Sequence, residues 1–186
     1  MANGTLKVQN IETSSGSGTI TLGQSGETIA LGSGVTSQFN QPAFHVEKTS
    51  DQDISEATDT KVTWDSSVID TNSAFSTSDN KFTVPSGKAG KYVFYGALQT
   101  SSVGQSEYQF GFWYVYKNGS KVSQHFADNR NNNLRDISAV FNFTIDLAVS
   151  DYIEIYAHLG TSGSNQRIKG QSSPAMTWFS GYRIGA

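Results

Sequence analysis

The sequence contains no cysteine in its 186 residues, which excludes disulfides and thiolate metal sites. Charged residues make up only 16% of the chain, below the roughly 25% of typical soluble domains. The few lysines and arginines are scattered, whereas nucleic-acid binding needs clustered cations. No apolar run approaches the roughly 20 residues of a membrane-spanning helix, and no export signal is recognisable. We therefore expect a soluble protein with no nucleic-acid partner and no membrane insertion.

The residues that are abundant instead are Gly, Ser, Thr, Asn and aromatics, which favour strands and tight turns over helices. From residue 38 onward, strand-like runs alternate with turn residues. The clearest run, residues 141–147, places four apolar side chains on one face and three polar ones on the other. Residues 108–116 are apolar on both faces, so we expect a second copy of the chain to cover the outer one. Asn118-Gly119 predicts a tight hairpin.

The first 36 residues differ from the rest because they contain no aromatic residue. Thr-Ile-Thr-Leu-Gly at 19–23 recurs as Thr-Ile-Ala-Leu-Gly at 28–32. Such short strands bury too little apolar surface to offset a backbone ordering entropy of roughly 1 to 2 kcal/mol per residue. We predict an attachment segment with short β repeats at 1–36 and a separate head at 37–186. A flexible Gly/Ser linker is the alternative for residues 1–36.

Several motifs of the head occur in the order of a known family. They are Phe82-Thr83-Val84-Pro85, then Gly90-Lys91-Tyr92-Val93-Phe94, then Lys117-Asn118-Gly119, and finally Thr177-Trp178-Phe179-Ser180-Gly181-Tyr182. Residues 40–185 thereby resemble the globular head of the q subunit of the first complement component, in the jelly-roll superfamily that includes tumour necrosis factor. Ser150 stands where this family has glycine, and no collagen-like stalk occurs.

The resemblance implies an all-β, ten-stranded jelly-roll sandwich that forms a homotrimer, recognises ligands through outward loops and has no catalytic site. For the trimer interface we propose four aromatic residues of the strand-like runs. These are Tyr92, Phe94, Tyr114 and Trp178.

The start of the chain carries a second, shorter resemblance. Residues 1–11 and the Gly-Gln-Ser-Gly-Glu run at 23–27 resemble the starts of structural proteins of tailed bacteriophages. The resemblance implies that residues 1–36 attach the head to other virion proteins, and that the protein is assembled in the host cytoplasm and resides in the virion.

The sequence lacks the residue spacings that are typical of catalytic and metal sites. His45, His125 and His158 lack the His-Glu-x-x-His spacing of a helical metal site. No Gly-x-Ser-x-Gly nucleophile elbow and no phosphate-binding loop occurs. We interpret the histidines as ordinary strand residues. We therefore expect no enzyme activity, no catalytic residue, no cofactor and no metal.

Two polar stretches remain. Residues 51–59 are acidic, and alternate oxygen ligands suit calcium, but a helical calcium loop would need glycine in place of Glu56, so we interpret them as a solvated loop. Residues 128–136 are rich in amide and guanidinium donors for sugar hydroxyls or anionic groups. The alternative is that asparagine merely tolerates turn geometry. The predicted ligand-binding residues are Asp128, Asn129, Arg130, Asn132 and Arg135.

These observations favour a non-catalytic, trimeric virion surface protein, the head of a phage fibre or spike for attachment or host recognition. The predicted partners are other virion proteins, through residues 1–36, and a glycan or protein of the host surface. The alternative is a capsid decoration protein at three-fold positions. A secreted complement-like lectin module agrees less well with the start of the chain.

Overall fold

The structure is a computed structural model that describes residues 41–103, 108–130, 134–163 and 166–185, together with positions 11 and 21. The chain divides into two compact units, Met1–Phe39 and Asn40–Ala186. The β repeats predicted within residues 1–36 lie outside the described residues, as does Asn132. In the part of the chain that is described, no helix is long and apolar enough to cross a bilayer.

The second unit is built almost entirely of strands, as the abundance of β-branched, aromatic and turn residues predicts. Thirteen strands occur among the described residues, three more than the ten predicted, and five of the thirteen contain only two or three residues. The strands are β1 Ala43–Glu47, β2 Gln52–Ile54, β3 Thr60–Lys61, β4 Ser66–Asp70, β5 Phe75–Ser76, β6 Lys81–Thr83, β7 Gly90–Ser102, β8 Tyr108–Lys117, β9 Ser120–Asp128, β10 Asp136–Leu147, β11 Tyr152–Thr161, β12 Gln166–Ile168 and β13 Trp178–Gly185.

The first of two antiparallel sheets is organised around β7. On one edge β10 pairs with β7 over its full length, from Asp136 opposite Ser101 to Leu147 opposite Gly90. The other edge is divided, since β13 pairs with residues 91–97 and β12 with residues 100–102. Strands β1 and β4 continue the sheet beyond β13, and β2 continues it beyond β12. This edge of β7 therefore has different partner strands at its two ends, β13 near the start and β12 near the end.

The second sheet has the strand order β5-β6-β11-β8-β9, with β3 also paired to β11. Its centre is the long pair β8 and β11, and β9 returns alongside β8. The hairpin between β8 and β9 turns at Asn118 and Gly119, whose φ angles are +51° and +79°. The tight turn predicted from this dipeptide is confirmed, because both residues adopt the positive φ that primed turns require.

Between the sheets lies a core dominated by aromatic rings. The run at 141–147 alternates as predicted: Phe141 and Leu147 are buried, and Asn142, Thr144 and Asp146 are exposed. Phe94 packs against Phe82 at 5.2 Å and Phe179 at 5.8 Å between ring centroids. Burying one such ring contributes roughly 1.5 to 3 kcal/mol. The two-layer, all-β sandwich predicted from the sequence is confirmed.

Candidate functional site

Two of the four residues predicted for a trimer interface lie inside the sandwich. Tyr92 and Phe94 are both 0% exposed, and their rings stack at 5.9 Å with an interplanar angle of 15°. The Tyr92 hydroxyl donates to the Lys88 carbonyl oxygen. Because neither side chain reaches the surface of the chain, neither is available to a second copy. Alternation along β7 defines two faces but does not reveal which one points inward.

The outer face of β8 carries the aromatic ladder that made this run apolar on both sides. Tyr114, another predicted interface residue, is only 6% exposed. The Lys121 ammonium lies 3.7 Å from the centre of its ring, a cation–π contact, and Phe126 stacks on Phe112 at 4.4 Å. Side chains of the chain itself therefore supply much of the cover that we expected from a second copy.

Asp59 fastens the connection before β3 onto the same outer face. Its carboxylate accepts hydrogen bonds from Lys121 at 2.7 Å, from the Tyr116 hydroxyl at 2.8 Å and from His158 Nδ1 at 2.8 Å. Partial burial opposes ionisation, but these hydrogen bonds outweigh it and lower the pKa of Asp59 to about 2. Burial and the hydrogen bond to Asp59 raise the pKa of Tyr116 to about 12.

The acidic stretch at 51–59 is thus part of the fold and not merely a solvated loop. Asp51 accepts hydrogen bonds from Arg167, Lys169 and the Gly170 backbone amide, and Asp53 pairs with Arg167 at 2.6 Å. Within the described ranges, no group of three histidine or acidic side chains is placed to hold a metal ion.

One arrangement has the residue types of a hydrolytic triad. His45 joins the Ser180 hydroxyl through Nδ1 and Glu47 through Nε2. Ser180 is only 2% exposed, and it lies within β13, which is paired on both edges. The backbone amides around Ser180 are therefore committed to the sheet and cannot stabilise an oxyanion. We interpret these contacts as structural.

The outer face of the first sheet presents a broad apolar surface, which we call the apolar face. It contains Trp178, the fourth predicted interface residue, whose ring lies 5.7 Å from that of Tyr95. Val140 is 71% exposed and Tyr182 is 43% exposed. Exposed apolar patches of this kind mark association surfaces. The apolar face comprises Ile69, Val93, Tyr95, Val140, Trp178, Tyr182 and Ile184.

The residues predicted to bind a ligand divide between two places. The Arg130 guanidinium lies 5.3 Å from the ring centre of Phe110 on the second sheet, and its backbone amide donates to the Asp128 carboxylate. The Asn129 side-chain nitrogen is buried without a hydrogen-bond partner among the described residues. Arg135 instead pairs with Asp136 at 3.0 Å beside the first sheet. Arg130 therefore contacts the second sheet, and Arg135 lies beside the first.

Arg135 lines a cleft of about 170 Å³ at the end of the first sheet, which we call the polar cleft. Ser101 of β7 stands opposite Asp136 of β10 on one side and opposite Arg167 of β12 on the other. Sequence reasoning identified Arg135 but missed Ser101, Arg167 and Lys169, because only strand pairing brings three distant segments together. The lining residues are Ser101, Ser102, Val103, Arg135, Asp136, Arg167 and Lys169.

Comparison with known proteins identifies the architecture. No protein-family model matches the chain, and no curated protein is significantly similar to it. The globular domain of the zebrafish complement 1qA protein matches with a TM-score of 0.55 and 18% sequence identity, over 78% of this chain and 98% of that chain. The TNF protein Eiger from S. frugiperda matches with a TM-score of 0.53 and 10% identity, over 78% of this chain and 94% of that chain. The head therefore has the jelly-roll fold that complement q-type globular domains share with tumour necrosis factor-like proteins.

Proposed function

We propose that this protein is a non-catalytic recognition module that forms a homotrimer through the apolar face. The observation that carries the proposal is the exposure of apolar side chains on three strands of the first sheet, β4, β10 and β13. Leaving this area in water is unfavourable by roughly 25 cal/mol for each Å² of apolar surface that a partner would cover. A second and third copy of the chain are the partners that the resemblance to complement q-type heads implies.

A ring of three copies requires that two different surfaces of the chain meet, because a cyclic trimer uses head-to-tail contacts. The apolar face supplies one surface. The free edge formed by β9 supplies the other, with Val122 and Phe126 exposed along it. In a closed ring of three copies, the apolar face of each copy would cover the β9 edge of the next copy. The ring would therefore remove both surfaces from water.

We further propose that the trimer is the head of a bacteriophage fibre or spike that attaches the virion to its host. Support comes from the repeats and composition of residues 1–36 and from their resemblance to the starts of phage structural proteins. In this proposal residues 1–36 bind other virion proteins, and the head contacts a glycan or protein of the host surface. The protein resides in the virion after assembly in the host cytoplasm.

Electron microscopy of native particles with an antibody against the head tests this assignment. Label at a fibre or spike of the tail is the expected result. Label distributed at three-fold positions of the shell would assign the protein to capsid decoration, the alternative in the same class. Particles that carry no label would overturn both assignments and leave a cellular complement-like module.

A further inference from the structure

The polar cleft has an arrangement of donors and acceptors that the fold does not use. Arg167, Ser101 and Asp136 form a row across β12, β7 and β10 on the outer side of the first sheet. Arg135 precedes Asp136, and Lys169 follows Arg167 two positions along the chain. We propose that this cleft binds the carboxylate and hydroxyl groups of an acidic sugar, an inference that rests on the recognition function proposed above.

Two arginines leave part of their donor set free. Among the described residues, Arg135 donates only through Nε, to Asp136, so both of its η nitrogens are available. Arg167 donates through Nε to Asp53 and through Nη1 to Asp51, which leaves Nη2. Guanidinium groups bind carboxylates through paired, charge-assisted hydrogen bonds. The free η nitrogens of Arg135 are therefore placed to hold one carboxylate.

The charges around the cleft favour a single anionic group over a polyanion. The positive charges of Arg135, Arg167 and Lys169 are matched by Asp51, Asp53 and Asp136, which pair with them. A nucleic acid or a sulfated polymer needs an excess of cations, which this site lacks. One carboxylate needs only the unused donors of guanidinium groups that are already held in place.

The acceptors in the lining favour a sugar over the carboxylate of a peptide. Among the described residues, the Asp136 carboxylate accepts a side-chain hydrogen bond only at Oδ2, from Arg135, so Oδ1 remains for a ligand hydroxyl. The Ser101 hydroxyl donates to the Ser102 carbonyl oxygen and can itself accept. Val103 is the apolar member of the lining, too little for a peptide side chain. Sugar hydroxyls both donate and accept, and so use both kinds of group.

The position of the cleft suits recognition. The chain enters the head beside the start of β7, where the Arg183 amide donates to the Pro42 carbonyl oxygen and Arg183 stands opposite Tyr92. Ser101 lies nine residues further along β7, a distance of about 30 Å at the rise of a strand. The apolar face ends near Ala97, opposite Trp178. The cleft therefore opens at the end of the first sheet away from Pro42 and beyond the proposed trimer contact.

Titration calorimetry of the full chain with methyl glucuronide, and separately with methyl glucoside, tests the proposal. Binding of the glucuronide with little or no binding of the neutral glucoside is expected. Arg135→Ala should weaken glucuronide binding by about tenfold or more, since a charge-assisted hydrogen bond is lost, and Arg135→Lys should restore part of it. Lys91→Ala, at an exposed cation near the start of β7 and outside the cleft, is the control and should bind as wild type.

Four outcomes would overturn the assignment. Equal binding of glucoside and glucuronide would remove the role of the carboxylate, and equal binding of inorganic phosphate would reduce the cleft to a simple anion site. Tighter binding of a short peptide ending in a free carboxylate would assign it to a protein partner. No binding of the glucuronide at millimolar concentration would refute the site. None of these results depends on where the protein lies in a particle, so failure here is distinguishable from failure of the virion assignment.

Discussion

The carboxylate of Asp59 should make the stability of the folded protein depend on pH. This carboxylate accepts hydrogen bonds from Lys121, Tyr116 and His158, and its pKa of about 2 lies below the ordinary 3.8. This difference corresponds to roughly 2 to 3 kcal/mol in favour of the charged carboxylate. The side chain is 32% exposed, so solvent screening reduces the expected contribution to about 1 to 2 kcal/mol.

The sign of the pH effect follows from the lowered pKa. A carboxyl group whose pKa is lower in the folded state stabilises the fold at pH values above the unfolded pKa. That stabilisation disappears as the pH falls through the folded pKa. The contribution of Asp59 should therefore be complete above about pH 5 and should vanish between the ordinary 3.8 and about 2.

Urea denaturation of wild type and Asp59→Asn at a fixed protein concentration measures the effect. We expect the variant to be less stable by about 1 to 2 kcal/mol at pH 7 and the difference to shrink as the pH is lowered through the folded pKa. Asp146→Asn is the matched control, because Asp146 is exposed and lies 3.8 Å from Lys91. Its effect should stay below about 0.5 kcal/mol. A stability difference between wild type and Asp59→Asn that stays the same at pH 7 and at a pH near the folded pKa would refute the reasoning.

Two further predictions concern the core and the domain division. Phe94→Ala should destabilise the head by about 3 to 5 kcal/mol in thermal or urea unfolding, because Phe94 is fully enclosed by aromatic neighbours; a loss below 1 kcal/mol would contradict its place in the core. Deleting residues 1–36 should leave a folded head with an unchanged β-type circular dichroism spectrum that no longer binds its particle, and an insoluble product would show that the segment belongs to the fold.

The sequence predicted the fold because local signals and the global architecture agree. The alternation at 141–147 marks a strand with one buried face, and the Asn118-Gly119 dipeptide fits few turns other than a tight hairpin. The alternation and the turn are both determined by residues that are close together in the sequence. The short strands β2, β3, β5 and β12 carry no such pattern, since pairing with longer strands defines them.

The candidate sites were harder to predict because faces and clefts depend on long-range pairing. The outer apolar face of β8 is partly covered by Lys121 and Phe126, which the β8–β9 hairpin places against its aromatic rings. The sequence places Tyr92 and Phe94 on the same face of β7, but only the fold shows that this face points into the core. The polar cleft joins β7, β10 and β12, whose residues lie far apart in the sequence. A periodicity of two gives the faces of a strand but not its neighbours.

The oligomeric state in solution tests the central claim most directly. Light scattering coupled to size-exclusion chromatography at micromolar concentration should give three times the chain mass of 20.1 kDa for wild type. Tyr182→Asp, at an exposed position of the apolar face, should dissociate the trimer while the β-type spectrum persists. Val149→Asp, at an exposed turn position outside that face, should remain trimeric. A wild-type mass of 20.1 kDa would contradict the account.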